Sequence, residues 1–275
     1  MSRHWRASGF TLVELLVVIA IIAVLAAVVS GLAASALADA RTAKETAAGR
    51  QIMVGMKLHQ ERNRGKVLAG YDDRAEAYDA EGNALHHPLH ARYPWRLAPY
   101  LDYKLDGTVL VNAQEKLARR GGASSQYAYV ASLTPSLGMN IGHVGGDFSG
   151  EASGGAIPGT AAFKKLGVFC VTRDVQAPIP ENLIAFASAH SRPDPQRPPQ
   201  EGYFKVVPPD PSASYDPAAA PVQFGFLHLR HRGETAVAAM FDGSVRRFNA
   251  TELRDMRHWS PVAQELDDPQ RRFAR

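Results

Sequence analysis

Cysteine is all but missing from this chain. Its 275 residues include one, Cys170, so no intrachain disulfide is available and the fold must be held by packing. Cys170 lies in Leu166-Gly167-Val168-Phe169-Cys170-Val171. That apolar run reads as a buried strand, where a thiol behaves as a small hydrophobe and not as a nucleophile. Catalytic signatures are missing too: there is no Gly-x-Ser-x-Gly elbow, no His-Glu-x-x-His pair and no Walker loop. Gly142-His143-Val144-Gly145-Gly146-Asp147 is rich in glycine but follows no convincing strand, and reads as a loop. The expectation is therefore a protein that is not an enzyme. Long basic runs are absent as well. Net charge is only +4, and pairs such as Arg119-Arg120 and Arg246-Arg247 are scattered. They read as solvated surface, so nucleic acid is not an expected partner.

Proline does not occur between Phe10 and His87. In its place stands sequence suited to one long helix over about Phe10 to Asn63, roughly 80 Å at 1.5 Å per residue. Its first half (10–30) is apolar without interruption from Leu15 to Val29, and as a whole is just long enough to cross about 30 Å of hydrocarbon. Its second half alternates Leu32, Ala36, Ala40, Ala43, Ala47, Ile52, Met56 and Leu58 with charges that include Glu45. This reads as an amphipathic continuation with one face on a soluble domain. Gly31, Gly49 and Gly55 read as local weak points, and Arg64-Gly65 as the stop.

One acid interrupts the N-terminal pattern. Glu14 sits just before the apolar run, behind a basic leader of Arg3, His4 and Arg6. A carboxylate in a membrane helix costs a few kcal/mol and so marks function. An ordinary secretory signal places its cleavage site after the apolar core. Here the small residue suited to cleavage, Gly9, precedes it. A cut between Gly9 and Phe10 would keep the helix on the mature chain, with Glu14 one turn from a new amine. It would also remove two arginines and bring the side-chain charge from +4 to +2. The basic leader places the N-terminus in the cytoplasm and the bulk of the chain outside.

Gly9-Phe10-Thr11-Leu12-Val13-Glu14-Leu15-Leu16-Val17-Val18-Ile19-Ala20-Ile21-Ile22 resembles the N-terminal motif of type IV pilins and type II secretion pseudopilins. The resemblance covers residues 6–30. It implies cleavage by a prepilin peptidase, N-methylation of Phe10, storage in the bacterial inner membrane and polymerisation with other pilin or pseudopilin subunits on an assembly platform. Glu14 would pair with a neighbour's amine. The implied placement is single-pass, with the domain on the periplasmic or outer side, in a filament after assembly. The domain is large for a uniformly packed thin fibre, which favours a pseudopilin or minor pilin over a major one. The alternative is a membrane-anchored binding or enzymatic domain that uses the leader for export.

The organisation expected is a leader (1–9), a transmembrane and assembly helix (10–30), its amphipathic continuation (31–64), a globular pilin-like domain (65–250) and a charged tail (251–275). The fold class is α+β, with the helix on an antiparallel sheet with long irregular loops. Residues 65–93 read as a loop-rich connector. Tyr127 to Val130, Phe163 to Val171, Leu183 to Ala187 and an edge strand at Gly202 to Val207 are strand candidates. Residues 192–221 hold nine of the eighteen prolines and cannot be regular throughout. Over 222–248, Val222, Phe224 and Phe226 alternate, then Thr235, Val237, Ala239 and Phe241, with Asp242-Gly243 as a tight turn, giving a three-stranded meander.

His231 and Asp242-Gly243 resemble the His-to-Asp-Gly signature of large planctomycete–verrucomicrobial pilin-like proteins. This sequence has ten intervening residues where that pattern has nine. Tyr93 to Leu101 resembles another element of the same group. His231 and Asp242 are thus candidates for a metal or polar bridge. The simpler reading makes Asp-Gly a turn and His231 a strand-end residue at the surface. His86, His87 and His90 surround Pro88, which argues against a shared helix face for zinc. Pseudopilins of the resembled kind hold calcium in a loop, but Asp72, Asp73, Asp79 and Glu81 lack EF-hand spacing. No cofactor is expected, and calcium is the one candidate.

Overall fold

The computed structural model describes residues 10–120, 124–149, 166–192, 194, 196 and 198–271. The leader cleavage residue Gly9 and the first three residues of the strand candidate at 163–171 lie outside them. Its described part, 166–171, is irregular rather than a strand, with Val171 making only an isolated bridge to Val144. The chain divides into two compact units, 1–41 and 42–275. A single helix, α1 (Leu12–Arg62), runs through both.

In the first unit, α1 exposes its large apolar side chains, among them Leu12, Leu16, Ile19 and Ile22. The expectation of a membrane-crossing first half finds no support here: among the described residues, no helix is long and apolar enough to cross a membrane.

In the second unit, α1 packs on a five-stranded sheet of order β7-β2-β4-β8-β9. The strands are β2 (Leu137–Asn140), β4 (Ile184–Ser188), β7 (Lys205–Val206), β8 (Thr235–Met240) and β9 (Val245–Asn249). The expected fold class stands as α+β with irregular loops. The sheet is mixed, because β7 joins β2 in parallel while the other pairs are antiparallel. β7 is an edge strand, the position that proline-rich flanks permit.

The central strands are buried on both faces, which explains why Thr235–Met240 reads as nearly continuous apolar sequence. One face sends Ala185, Phe186 and Ala239 into a core with Ile52, Met53 and Met56 of α1. The other sends Ile184, Ala187, Ala236, Ala238 and Met240 against Phe224, Phe248, Met256 and Trp259.

Gly49 and Gly55 are close-approach points of α1. A Cβ on Gly49 would meet Ala239 Cβ at 3.3 Å, and one on Gly55 would meet Leu101 Cδ2 at 2.9 Å. The buried stripe of α1 contains Glu45, Ala48, Ile52, Met53 and Met56, while Ala43 and Ala47 face outward.

Three expectations are corrected. The first arm of the meander is a 3-10 turn (Pro221–Phe224), not a strand. Pro221 presets its first φ, and Gly225 ends it at φ +65, where a Cβ would lie 2.0 Å from Val207 O. Tyr127 to Val130 belongs to α4 (Ser124–Leu133), packed on α3 (Ala113–Arg120). The described part of the expected tail (251–275), residues 251–271, is not without core. Leu253, Met256, Trp259, Val262 and Ala263 are buried, and α5 (Pro261–Glu265) closes the sheet's second face.

Around this frame lie α2 (Tyr93–Leu97) and two small ladders. One is a parallel pair of β1 (Tyr71–Asp72) and β3 (Asp147–Phe148). The other is an antiparallel pair of β5 (His190–Ser191) and β6 (Gln200–Glu201).

Candidate functional site

The start of α1 is built by Thr11 and Glu14. The Thr11 N–H and hydroxyl both donate to Glu14 Oε2, at 2.8 and 2.7 Å, and the Glu14 N–H donates back to Thr11 Oγ1 at 3.2 Å. This is a capping box, with Thr11 before the first helical residue and Glu14 at the third. It satisfies orphan N–H groups at the point where the apolar run begins. The pattern Thr-x-x-Glu ahead of an apolar run is legible in sequence, and the reading of Glu14 as an assembly charge passed over it. Phe10 beside it is exposed.

A second constellation lies within the other unit, on the buried stripe of α1. Glu45 is fully buried. Arg230 meets it with two N–H groups, Nε to Oε2 at 2.9 Å and Nη2 to Oε1 at 2.9 Å. Ser188 of β4 donates its hydroxyl to Oε1. His231 Nε2 lies 3.3 Å from Oε2, close but poorly aligned for a hydrogen bond. The other His231 nitrogen is 3.0 Å from Thr42 Oγ1, one turn before Glu45 on the same helix.

Arg230 spends its remaining N–H groups on Ala189 O and Ser136 O, both at 2.8 Å, and on His228 Nδ1 at 3.2 Å. Every donor of the guanidinium therefore has an acceptor, as a buried cation requires. Burial alone would raise the Glu45 pKa. The Arg230 charge, the nearby His231 ring and the Ser188 hydroxyl outweigh it and hold the carboxyl below its ordinary value. Arg230 can only donate, so His228 Nδ1 must accept and that ring is neutral. Burial, then the Arg230 charge, lowers its pKa to about 3. His190 stacks on His228 with centroids 4.8 Å apart, and burial beside Arg230 and Arg192 lowers its pKa to about 4.

This places His231 differently from the surface position expected for it. Its side chain is 3% exposed and faces Glu45. Asp242 lies at the other end of β8. Its Oδ1 accepts the Ser244 N–H at 2.8 Å and the Ser244 hydroxyl at 2.7 Å, in the turn between β8 and β9 where Gly243 takes φ +100. A six-residue strand, roughly 20 Å long, separates the two candidates, so the structure does not bring them to one metal.

The other candidates include His86, His87 and His90, which line one pocket with the His87 and His90 ring centroids 6.0 Å apart. His87 Nε2 contacts Tyr71 Oη and Asp73, and Asp79 accepts three hydrogen bonds within its own hairpin. Among the described residues, no three His, Cys, Asp or Glu side chains are placed to hold a metal ion. Cys170 is buried and its thiol is pushed up by burial.

Nothing in the sequence reading paired Glu45 with Arg230. The available signal was an acid on the 3–4 spaced stripe with Ala48, Ile52 and Met56, where an apolar residue is the rule.

Residues 6–30 match the family described as the prokaryotic N-terminal methylation motif. The chain therefore carries the prepilin motif of the type IV pilin and pseudopilin kind. That motif marks a type IV pilin-like or pseudopilin precursor, of the class processed by a prepilin peptidase and assembled with other pilin subunits. No curated protein matches the chain, and no solved structure matches it.

Proposed function

We propose that this chain is a structural, non-catalytic subunit of a type IV pilus-like or type II secretion filament, of the pseudopilin or minor-pilin kind. In this reading it is cut between Gly9 and Phe10, N-methylated at Phe10 and held by one pass in the bacterial inner membrane. Its domain lies on the periplasmic side until assembly. The observation that carries the reading is the methylation motif over residues 6–30, with one acid at the head of an exposed apolar helix face. The membrane placement rests on the fifteen apolar residues from Leu15 to Val29.

The capping box supplies a step to this proposal. Thr11 satisfies Glu14 within one chain, which reduces the cost of a lone carboxylate in an apolar setting. On assembly Glu14 exchanges Thr11 for a neighbour's Phe10 amine. The non-catalytic reading is supported by the second constellation. Ser188 and Glu45 are fully buried, and the serine hydroxyl meets a carboxylate and carbonyl rather than an imidazole base.

Mass spectrometry of the mature N-terminus tests the processing step and should find methylated Phe10. A chain beginning beyond Ser30 would overturn the reading. Glu14→Gln tests the charge, because glutamine keeps the cap and loses the counter-ion. Filament yield should collapse in Glu14→Gln as in Glu14→Ala, at an unchanged membrane pool. Normal filaments from Glu14→Gln would refute the pairing.

A further inference from the structure

The hairpin from Tyr78 to Ala84 forms one wall of a cleft of about 620 Å³ that the filament reading does not use. Asp79 fixes this hairpin: its Oδ1 accepts the N–H groups of Glu81 and Asn83 at 3.1 and 2.7 Å, and its Oδ2 accepts Asn83 Nδ2 at 2.9 Å. The opposite wall is α4, through Tyr127 and Tyr129. Trp95 and Tyr103 complete the aromatic lining, with Leu85 and Leu89 beside them.

Two of these rings are held by hydrogen bonds. Trp95 Nε1 donates to Ala128 O at 2.9 Å, which ties α2 to α4. The Tyr127 hydroxyl donates to Asp106 at 3.0 Å, and Asp106 is paired with Arg119 at 2.7 Å. Trp95 and Tyr127 are thus held in place before a ligand binds, which lowers its ordering cost.

The charge of the lining is one-sided. Asp79 and Glu81 are present beside His86, and among the described residues no lysine or arginine lines the cleft. Hydrogen bonds, the Asn83 amide first, hold the Asp79 carboxyl below its ordinary value despite some desolvation. Four aromatic rings line the cleft, and each ring face presented to it adds the negative side of a quadrupole. The Arg92 guanidinium lies 5.7 Å from the Tyr129 centroid, a fixed like charge that a ligand cation at that ring has to share the ring with. The volume falls in the range of small-molecule sites and exceeds what a bare ammonium needs, so an apolar body attached to the charge fits.

We propose that this cleft binds an organic cation of the alkylammonium class, its charge seated among Trp95, Tyr103, Tyr127 and Tyr129 and balanced by Glu81 and Asp79. The free amine and the amine of a larger molecule share this chemistry, and a small probe reports on both.

The test is calorimetric titration of the full-length purified chain with choline and with benzyltrimethylammonium, each against its neutral carbon isostere (dimethylbutanol for choline). At least one cation should bind saturably, and its isostere about tenfold more weakly or worse, as expected when the ring faces and carboxylates recognise charge. Tyr129→Ala and Glu81→Gln alter exposed side chains. Each should weaken the cation severalfold with the melting temperature unchanged. No saturable heat with either cation, equal affinity for the isosteres, or undiminished binding in both variants would overturn the proposal.

Discussion

Arg230 grips the carboxylate of Glu45 side-on, through Nε and Nη2 at 2.9 Å each, with the acid fully out of water. The pair joins α1 to the segment leading into β8. Glu45→Ala would leave a buried guanidinium without its counter-ion, and should cost about 3–5 kcal/mol in urea unfolding. Arg230→Ala should cost as much. Replacing both, as Glu45→Leu with Arg230→Met, should recover a large part of the loss. A single Glu45→Ala variant as stable as wild type would remove the network's structural role.

Acid should weaken the domain in two stages. His190 and His228 are held neutral, with pKa lowered from 6.5 to about 4 and about 3. The unfolded chain therefore binds protons that the folded one refuses, and stability falls as pH drops below 6.5. Glu45 is depressed, so its contribution is present above its ordinary value of 4.5 and is lost only as pH falls further, through its folded pKa. Urea midpoints at pH 7 and pH 5 isolate the histidine stage. The difference between them should shrink in His190→Phe, which keeps a ring on His228. An unchanged difference would contradict the assignment.

The β8–β9 turn and His231 separate cleanly by mutation. Gly243→Val forces a β-branched residue to φ +100 and should cost about 1–3 kcal/mol. His231→Ala removes a buried ring between Thr42 and Glu45 and should cost about as much, not the fraction typical of a surface site. If neither residue holds a metal, EDTA should leave the wild-type melting temperature where it was. A chelator-sensitive melt lost in both His231→Ala and Asp242→Ala would revive the metal reading.

The C-terminal segment should behave as core. Trp259 is fully buried and its indole N–H donates to Leu253 O at 2.8 Å. Trp259→Ala should cost about 3–5 kcal/mol, and ending the chain at Ala250 should prevent cooperative unfolding altogether. A truncated chain that melts like the full one would show that the segment is dispensable.

Local order with a short-range cause was legible in the sequence. The methylation motif, the α1 helix from its 3–4 spacing and lack of proline, the Asp242-Gly243 turn and the edge strand near Lys205 each depend on neighbours within one or two turns. Tertiary structure decided the rest. Val222, Phe224 and Phe226 alternate like a strand, yet Pro221 and the close approach of Gly225 to Val207 impose a 3-10 turn. Leu137–Asn140 gave no strand signal because it is buried on both faces amid small residues, and it became a strand by pairing with β4 and β7. The Glu45–Arg230 pair spans 185 residues. The helix pattern could show an acid on a buried stripe, but the partner was chosen by where the sheet placed Arg230, because a buried charge is tolerated only where a distant segment delivers its opposite.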